Sequence, residues 1–495
     1  MLALIAFDAA SLAIIDELLA EDRLPHLRAL RASGTEYPLE TPASHFPAGT
    51  YPTLWSGVPL EQHGIHFPFM WSAAEQRVRF LTSFPFPVTM WERLAQCGVR
   101  CVVLDAYESP VPETIDGLYL SGWQFRNRIV LRRAGAPAGA RRYWEGRLGR
   151  ASRGEEVFGR PDERRLRRLA STLLAASRRI ADLAVVAVEE VRPDLLVVGL
   201  PAVHIGGHQL WDPSVVLPDA RPDLGAELRA VLRGIYVEAD TAIGRIVESL
   251  PAGADVIVFS ALGMGPETSR QDSLGSMLNA VLDGGRTDGR SGGAWDFRAR
   301  IPSSLRARVA DFLPDRVASS LTAMLELRGV DWSRTRAFAL PSDAVGYVRL
   351  NVRGRERDGV MATDDMDALI EEIQTGLREF TLPSGAAAIT AVERTTQVVP
   401  EGPGSALLPD LVVRWCDEPA RPDEVLTSTS FGAVRRHGVG SGRSGNHNAD
   451  AWALVVPGAA RLKARDDRPN IVDLAATALG RFGLDHEGAE LLDRP

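Results

Sequence analysis

Two histidines lie four residues apart in the stretch PAVHIGGHQLWD, residues 201 to 212, directly after the apolar run DLLVVGL. Such a run is typical of a strand buried on both faces. If the following segment is helical, His204 and His208 lie on one face, at a spacing that suits a shared metal ion. Gly206 and Gly207 weaken the helical interpretation, and the alternative is a pair of hydrogen-bonded loop histidines. The two imidazoles are candidate metal ligands.

Polar residues lie next to other apolar runs as well. Asp8 follows LALIAF and is either a capped structural acid or a ligand. Ligands of parallel sheets bind outside the carboxyl ends of the strands, so a polar residue just past an apolar run carries the most information. His447 in SGNHNADAW comes just before a late apolar run, where a lone histidine is usually structural. The stretch SHFPAGTYPTLWSGVPLEQHGI, residues 44 to 65, is rich in hydroxyls and leads into a helix-like turn. A hydroxyl at the start of a helix is well placed for a nucleophile that must meet an anion.

The elements that must position these residues alternate between strand and helix. Strands are predicted at 2–7, 98–106, 194–200, 254–260, 410–415 and 451–458, and helices at 23–34, 163–191, 224–250 and 470–483. This alternation predicts an α/β three-layer sandwich with a mostly parallel central sheet. Residues 1–296 and 401–495 are expected to form the core, with a smaller inserted or cap subdomain at 297–400.

The composition excludes several classes of function. The chain has 495 residues, 45% of them hydrophobic, and a formal net charge of -8, which disfavours binding to a nucleic-acid polymer or an anionic membrane. Only the arginine-rich segment 163–179 favours binding to nucleic acid or a membrane surface, and a solvated helix face is the simpler interpretation of it. Three cysteines, no basic leader and no run of about 20 apolar residues lead us to expect a soluble, cytoplasmic protein.

In chain order, these pieces resemble the alkaline-phosphatase superfamily, and most of all its branch of type I phosphodiesterases and nucleotide pyrophosphatases. The resemblance rests on an aspartate after the first strand, a hydroxyl-rich turn ending in HGI, DLLVVGL leading to HxxGH, VFSxxGMG, and GxHxxD before a late strand. RLNVRGRERDG at 349–359 and LPDLVVRW at 408–415 are similar to segments of the same branch.

The resemblance implies an alkaline-phosphatase-like fold and two divalent metal ions, usually zinc, that activate a serine or threonine for attack on phosphorus. Asp8, His208 and His447 match metal ligands of the family. His204 occupies a position where the family usually has aspartate, and a neutral imidazole there still suits zinc. The cofactor that the resemblance implies is one or two divalent ions, zinc as is usual in the family, with manganese as the alternative.

The sequence departs from the family pattern at two places. Ala261 and Leu262 stand where the family has an aspartate and a histidine ligand, so a second ion is absent or is held by other residues, with His45 and His66 as candidates. A strict count places Pro47 at the nucleophile position. Thr50 is the nearest hydroxyl and is our predicted nucleophile, and Ser44 is the next.

The function implied is hydrolysis of a small-molecule phosphoester, most of all as a phosphodiesterase or nucleotide pyrophosphatase. One alternative is a catalytically silent relative that binds a ligand or a partner. Another is a sulfatase or phosphoryl-transfer enzyme on the same fold. The substrate, the oligomeric state and the number of ions are left open by the sequence.

Overall fold

A computed structural model describes residues 1–125, 127, 131–150, 156, 161–217, 221–284, 327, 330–436, 440–465 and 467–493. Its largest sheet has eight strands in the order β2-β18-β9-β1-β8-β5-β6-β7, and the five from β9 to β6 run parallel. The strands of this sheet are β1 Leu2–Ala6, β2 Thr35–Leu39, β5 Cys101–Leu104, β6 Gly117–Ser121, β7 Ala134–Ala136, β8 Leu195–Gly199, β9 Asp255–Ser260 and β18 Ala451–Val456.

The register of the central strands brings their carboxyl ends to one edge. Ala6 of β1 pairs with Gly199 of β8 on one side and with Phe259 of β9 on the other. Every residue of β1, β8 and β9 is buried, which explains why these strands appear in the sequence as continuous apolar runs. The residues that follow each run therefore meet at the same edge.

Helices surround the sheet and confirm the expected α/β class. The described helices are α1 Leu12–Ala20, α2 Pro25–Ser33, α3 Thr50–Ser56, α4 Leu60–His63, α5 Met90–Ala95, α6 Ala140–Leu148, α7 Glu163–Val191, α8 Pro201–Leu210, α9 Leu224–Glu248, α10 Gln271–Leu282, α11 Met366–Arg378, α12 Thr395–Val398 and α13 Val472–Arg481. None of the described helices combines the length and the apolar character needed to cross a membrane. On α7, Arg167 pairs with Glu227 and Arg178 with Glu238, so arginines of its basic face are used in ion pairs with α9.

A second sheet has four antiparallel strands in the order β11-β12-β14-β13, with its own apolar core. Its strands are β11 Ala337–Leu340, β12 Gly346–Leu350, β13 Ile389–Arg394 and β14 Leu411–Trp415. The predicted strand at 410–415 belongs here and not to the central sheet. The sheet extends past residue 400, and much of 297–329 lies outside the described residues, so the subdomain boundaries stay a prediction.

The segments RLNVRGRERDG and LPDLVVRW contribute to this sheet and are held by ion pairs, one within the first segment and one between the two. Arg349 bonds to the buried Glu356 at 2.8 Å, and Arg355 bonds to Asp410 at 2.6 and 2.8 Å. Burying such charges is tolerated because each is paired and hydrogen-bonded. These arginines therefore have a structural use.

The part of the chain that the structure describes also has three two-stranded pairs: β3 Phe69–Ser72 with β4 Arg77–Phe80, β10 Gly263–Pro266 with β17 Gly445–Asn448, and β15 Val425–Ser428 with β16 Gly432–Arg435. The pair β10–β17 matters most for the site. Because β10 begins just after β9 ends, its partner β17 is held beside the carboxyl edge of the central sheet.

Candidate metal centre

The segment that carries His204 and His208 is helix α8, despite its two central glycines. Packing explains them. A Cβ on Gly207 would lie 2.6 Å from Met264 Cγ, and a Cβ on Gly206 would lie 3.1 Å from the terminal carbons of Leu232 and Ile235. The absence of side chains lets α8 approach both α9 and β10. The helix then presents both histidines on one face, as their spacing predicted.

His447 reaches the same place on β17. Its partner across the strand pair is Met264, the residue that contacts Gly207 of α8. A second close approach lies nearby, because a Cβ on Gly445 would be 2.3 Å from the carbonyl oxygen of Gly207. Helix α8 and strand β17 are therefore in backbone contact.

The three imidazoles converge. Nε2 of His204 lies 3.1 Å from Nε2 of His208 and 3.2 Å from Nε2 of His447, and the ring centroids of His208 and His447 are 4.6 Å apart. Among the described residues, these three form a group whose ligand atoms all lie within 4.8 Å of one another. His447 thus lies beside His204 and His208 although it is more than 200 positions away from them in the chain.

The outer nitrogens of two rings show where the protons are. Nδ1 of His204 lies 3.2 Å from Oδ2 of Asp8, and Nδ1 of His208 lies 2.8 Å from the carbonyl oxygen of Gly445. A carboxylate and a carbonyl can only accept, so each Nδ1 carries the proton and each Nε2 presents a lone pair. Two lone pairs face each other at 3.1 Å, an arrangement that a shared cation stabilises.

The spacing also fits a metal ion. Nitrogens about 2.0–2.1 Å from a tetrahedral zinc ion are about 3.3 Å from one another, close to the separations found here. Burial lowers the pKa of His208 and of His447 well below the ordinary histidine value, so both rings are neutral, as ligation requires. The residues therefore fit a divalent ion.

Asp8 is buried and contacts the cluster through His204. Its Oδ2 accepts from Nδ1 of His204, and its Oδ1 accepts from the hydroxyl of Tyr51 at 2.5 Å. The ring of Tyr107 stacks on His204 with centroids 4.2 Å apart. Carboxylate and tyrosines together fix the orientation of this imidazole. That Asp8 is itself a metal ligand stays a prediction.

The two positions at which the family pattern has ligands of a second ion are occupied here by apolar residues. Ala261 and Leu262 are buried, and their carbonyl oxygens accept from Thr41 Oγ1 at 2.9 Å and Ser260 Oγ at 2.8 Å. Neither side chain can bind a metal. With Asp8 engaged by Tyr51 and His204, the described residues offer one converging set of ligands and not two.

The two substitute ligands considered for a second ion have other partners. His45 bonds to Ser44 and Glu393, and Nδ1 of the buried His66 bonds to the carbonyl oxygen of Gly64 at 3.1 Å. Burial lowers the pKa of His66 to about 4. Neither residue joins the histidine cluster.

The hydroxyl-rich turn is held by its own side chains. His63 Nε2 donates to Thr53 Oγ1 at 3.0 Å, and Ser56 Oγ donates to the carbonyl oxygen of Pro52 at 2.6 Å. Thr50 is the first residue of α3, and its buried Oγ1 has no hydrogen-bond partner within the described residues.

Sequence reasoning missed several residues at the site. Tyr107 and Glu108 follow β5 at the same sheet edge, so the rule used for Asp8 could have found them. Burial, with the nearby Asp8 carboxylate, raises the pKa of Glu108 to about 8. Tyr51 has no sequence signal that sets it apart from the other residues of the hydroxyl-rich turn, and Gly445 has no signal besides its tertiary contact.

Solved structures with the same architecture exist. Phosphonoacetate hydrolase from Sinorhizobium meliloti 1021 matches in complex with phosphonoacetate (TM-score 0.53) and with phosphonoformate (TM-score 0.52), each at 14% identity and over 96% of this chain and 94% of the other. Murine ectonucleotide pyrophosphatase/phosphodiesterase 5 is similar over 99% of both chains, with 11% identity and a TM-score of 0.46. No family model and no curated protein matches the sequence.

The likeness to the phosphonoacetate hydrolase structures confirms the alkaline-phosphatase-like fold expected from the sequence motifs. At 14% identity it shows the fold, and the chemistry must be argued from the site itself.

Proposed function

We propose that the protein is a metal-dependent hydrolase of small-molecule phosphoesters, with a single zinc ion held by His204, His208 and His447. The observation that carries the proposal is the convergence of three Nε2 atoms, two of whose rings have their outer nitrogens already committed to Asp8 and Gly445. Zinc sites with three protein ligands and one open position are typical of catalysis.

A divalent ion at this point would polarise a phosphoryl oxygen and lower the pKa of a water molecule. An imidazole binds a metal in its neutral form, so three histidine ligands would leave the full positive charge of the ion available to an anionic phosphate. Asp8 acts through His204: its carboxylate holds the ring and increases the basicity of Nε2. Tyr51 and Tyr107 limit the motion of the same ring.

Phosphodiesters and nucleotide pyrophosphates are the substrates we favour. The sequence motifs that resemble the phosphodiesterase branch support this choice, and a structure of the same fold is of a hydrolase that binds phosphonoacetate. The test uses bis(p-nitrophenyl) phosphate and a dinucleotide pyrophosphate with metal-stripped protein. We expect no turnover until zinc or manganese is added. Absence of turnover in fully zinc-loaded protein would contradict the proposal.

A second candidate is a silent relative that binds a ligand without chemistry. The loss of ligands at Ala261 and Leu262 favours it, because the family's second ion has no counterpart among the described residues. Zinc binding together with tight but unreactive binding of a nucleotide, measured by calorimetry, would support this candidate over the hydrolase.

Asp8→Asn is predicted to weaken zinc binding by about 10- to 100-fold, the usual cost of losing a carboxylate behind a histidine ligand. An amide keeps the size of the side chain but removes the charge that increases the basicity of His204. A competition titration with a chromophoric chelator measures the change.

Tyr51→Phe is the matched control for Asp8→Asn. It removes a hydroxyl that bonds to Oδ1 of Asp8 and lies 3.2 Å from Nδ1 of His204, and it leaves the contact between Oδ2 of Asp8 and His204 intact. We expect a smaller loss of zinc affinity than in Asp8→Asn. Unchanged affinity in Asp8→Asn would show that the carboxylate does not act through His204.

Thr50→Ala is predicted to reduce phosphodiester turnover by about 10³-fold or more and to abolish any covalent phosphothreonine. The buried, unpartnered hydroxyl of Thr50 at the start of α3 is one residue from Tyr51, which contacts Asp8 and His204. Quenched turnover followed by mass spectrometry detects the intermediate, and Thr50→Ser should retain it. Full activity in Thr50→Ala would indicate that water attacks phosphorus directly.

A further inference from the structure

A second cluster of chemically active side chains lies in a cleft beside the metal centre. Ser44 Oγ is 2.8 Å from Nδ1 of His45, and Nε2 of His45 is 3.2 Å from Oε2 of Glu393. Both Ser44 and His45 line a cleft of about 680 Å³ that also includes Ala449, two residues after His447. Hydroxyl, imidazole and carboxylate form a continuous hydrogen-bonded chain.

Glu393 determines which atoms donate and which accept in the hydrogen bonds that link these three side chains. A carboxylate accepts, so Nε2 of His45 carries the proton and Nδ1 presents a lone pair, to which the Ser44 hydroxyl donates. Burial lowers the pKa of His45, so the ring is neutral and free to act as a base. Arg414 lies 3.9 Å from the same oxygen of Glu393, and its positive charge adds to the effect of burial in lowering the pKa of His45. This is the order of groups that activates a serine hydroxyl.

The geometry points to Ser44 as a nucleophile, with His45 as its base and Glu393 as the residue that orients the base, acting on uncharged carboxylic esters without a metal ion. This inference rests on the cleft and not on the proposed metal centre. The lining mixes polar and apolar residues, and its apolar part, which includes Phe46, Leu60 and Val399, suits an apolar acyl group. Glu40 and Glu61 line the cleft along with Arg468, and Glu393 lies beside Arg414, so three acids face two bases and the excess of acids disfavours an anionic substrate.

These three side chains and water account for every bond and proton in the proposed reaction. Ser44 Oγ attacks the carbonyl carbon and its proton passes to Nδ1 of His45, while Glu393 stabilises the imidazolium at Nε2. The bond from carbon to the alcohol oxygen breaks, and the leaving oxygen takes the proton from Nδ1. Water then attacks the acyl-serine, gives a proton to His45, and releases the acid as the proton returns to Ser44 Oγ.

A fluorophosphonate probe tests the inference on the full chain in the presence of EDTA. We expect one adduct, located on Ser44 by peptide mass spectrometry, and metal-independent hydrolysis of p-nitrophenyl butyrate. His45→Asn is the informative variant, because the amide oxygen can accept from Ser44 as Nδ1 does but cannot take its proton. Labelling should slow by about 10-fold or more in His45→Asn and disappear in Ser44→Ala.

Ser83→Ala, at an exposed serine outside the cleft, is the matched control and should label at the wild-type rate. No adduct on Ser44 of the wild-type chain would overturn the inference. So would a His45→Asn variant that labels as fast as the wild type. Because EDTA is present throughout, failure here leaves the proposed zinc-dependent activity untouched, and failure of that activity leaves this inference untouched.

Discussion

Replacing His208 with alanine is expected to remove bound zinc and phosphodiester turnover together. Zinc content should fall from about one ion per chain to near zero, and turnover by at least about 100-fold, since even residues behind the ligands cost 10- to 100-fold. The physical reason is that Nε2 of His208 is one of the three imidazole nitrogens that converge at the centre, lying 3.1 Å from Nε2 of His204. Elemental analysis and a chromogenic assay on the same preparation measure both quantities.

His486→Ala is the control for His208→Ala. His486 is half-buried and bonds to Glu490 four residues later on a different part of the surface. This variant should keep its zinc and its turnover. A His208→Ala variant that holds wild-type zinc would show that the three histidines are not the ligands.

Gly445→Ala is expected to weaken zinc binding by about 10-fold or more although no ligand is changed. The added Cβ would lie 2.3 Å from Gly207 O and 2.9 Å from Trp211 Cβ, closer than non-bonded atoms come. Strand β17 must move away from α8, which separates His447 from His208 and breaks the bond from His208 Nδ1 to Gly445 O. Overpacking of this kind costs about 1–3 kcal/mol in stability. Zinc titration and thermal unfolding measure the two effects.

Gly265→Ala is the matched substitution on the neighbouring strand. Among the described residues, a Cβ there meets only Asn448 Nδ2, at 3.5 Å, an ordinary contact. Both zinc affinity and stability should stay close to those of the wild type. Equal affinities in Gly445→Ala and Gly265→Ala would mean that the approach of β17 to α8 does not set the metal geometry.

Much of the fold could be predicted because buried parallel strands have a strong signature in sequence. The runs at 2–7, 194–200 and 254–260 contain β1, β8 and β9 within a residue or two at each end. The strand at 411–415 was predicted too, but its place in a second sheet depends on pairing with β12 and β13, which alternation of elements does not reveal.

The candidate site was predictable in part. The spacing of His204 and His208 indicates a shared face once the segment is helical, but the glycines between them argued against a helix. Those glycines are explained by tertiary packing, because Gly207 leaves room for the side chain of Met264 and lies against Gly445. His447 is predicted as a ligand by the family resemblance alone, since nothing in its local sequence distinguishes it from a structural histidine.

The role of Asp8 shows what residue type alone does not decide. A carboxylate after a buried strand is equally suited to bind a metal or to hold a histidine. The structure pairs it with His204 and Tyr51, and Tyr51 could not have been identified without knowing where α3 packs. The chain of Ser44, His45 and Glu393 was hidden for the same reason, because Glu393 is 348 positions from its partner.

X-ray absorption at the zinc edge tests the central claim most directly. Zinc-loaded protein is expected to show three imidazole nitrogens and one exchangeable oxygen at about 2.0–2.1 Å, with one imidazole lost in His447→Ala. A spectrum with fewer than two imidazoles, or one that His447→Ala leaves unchanged, would contradict a centre built from His204, His208 and His447.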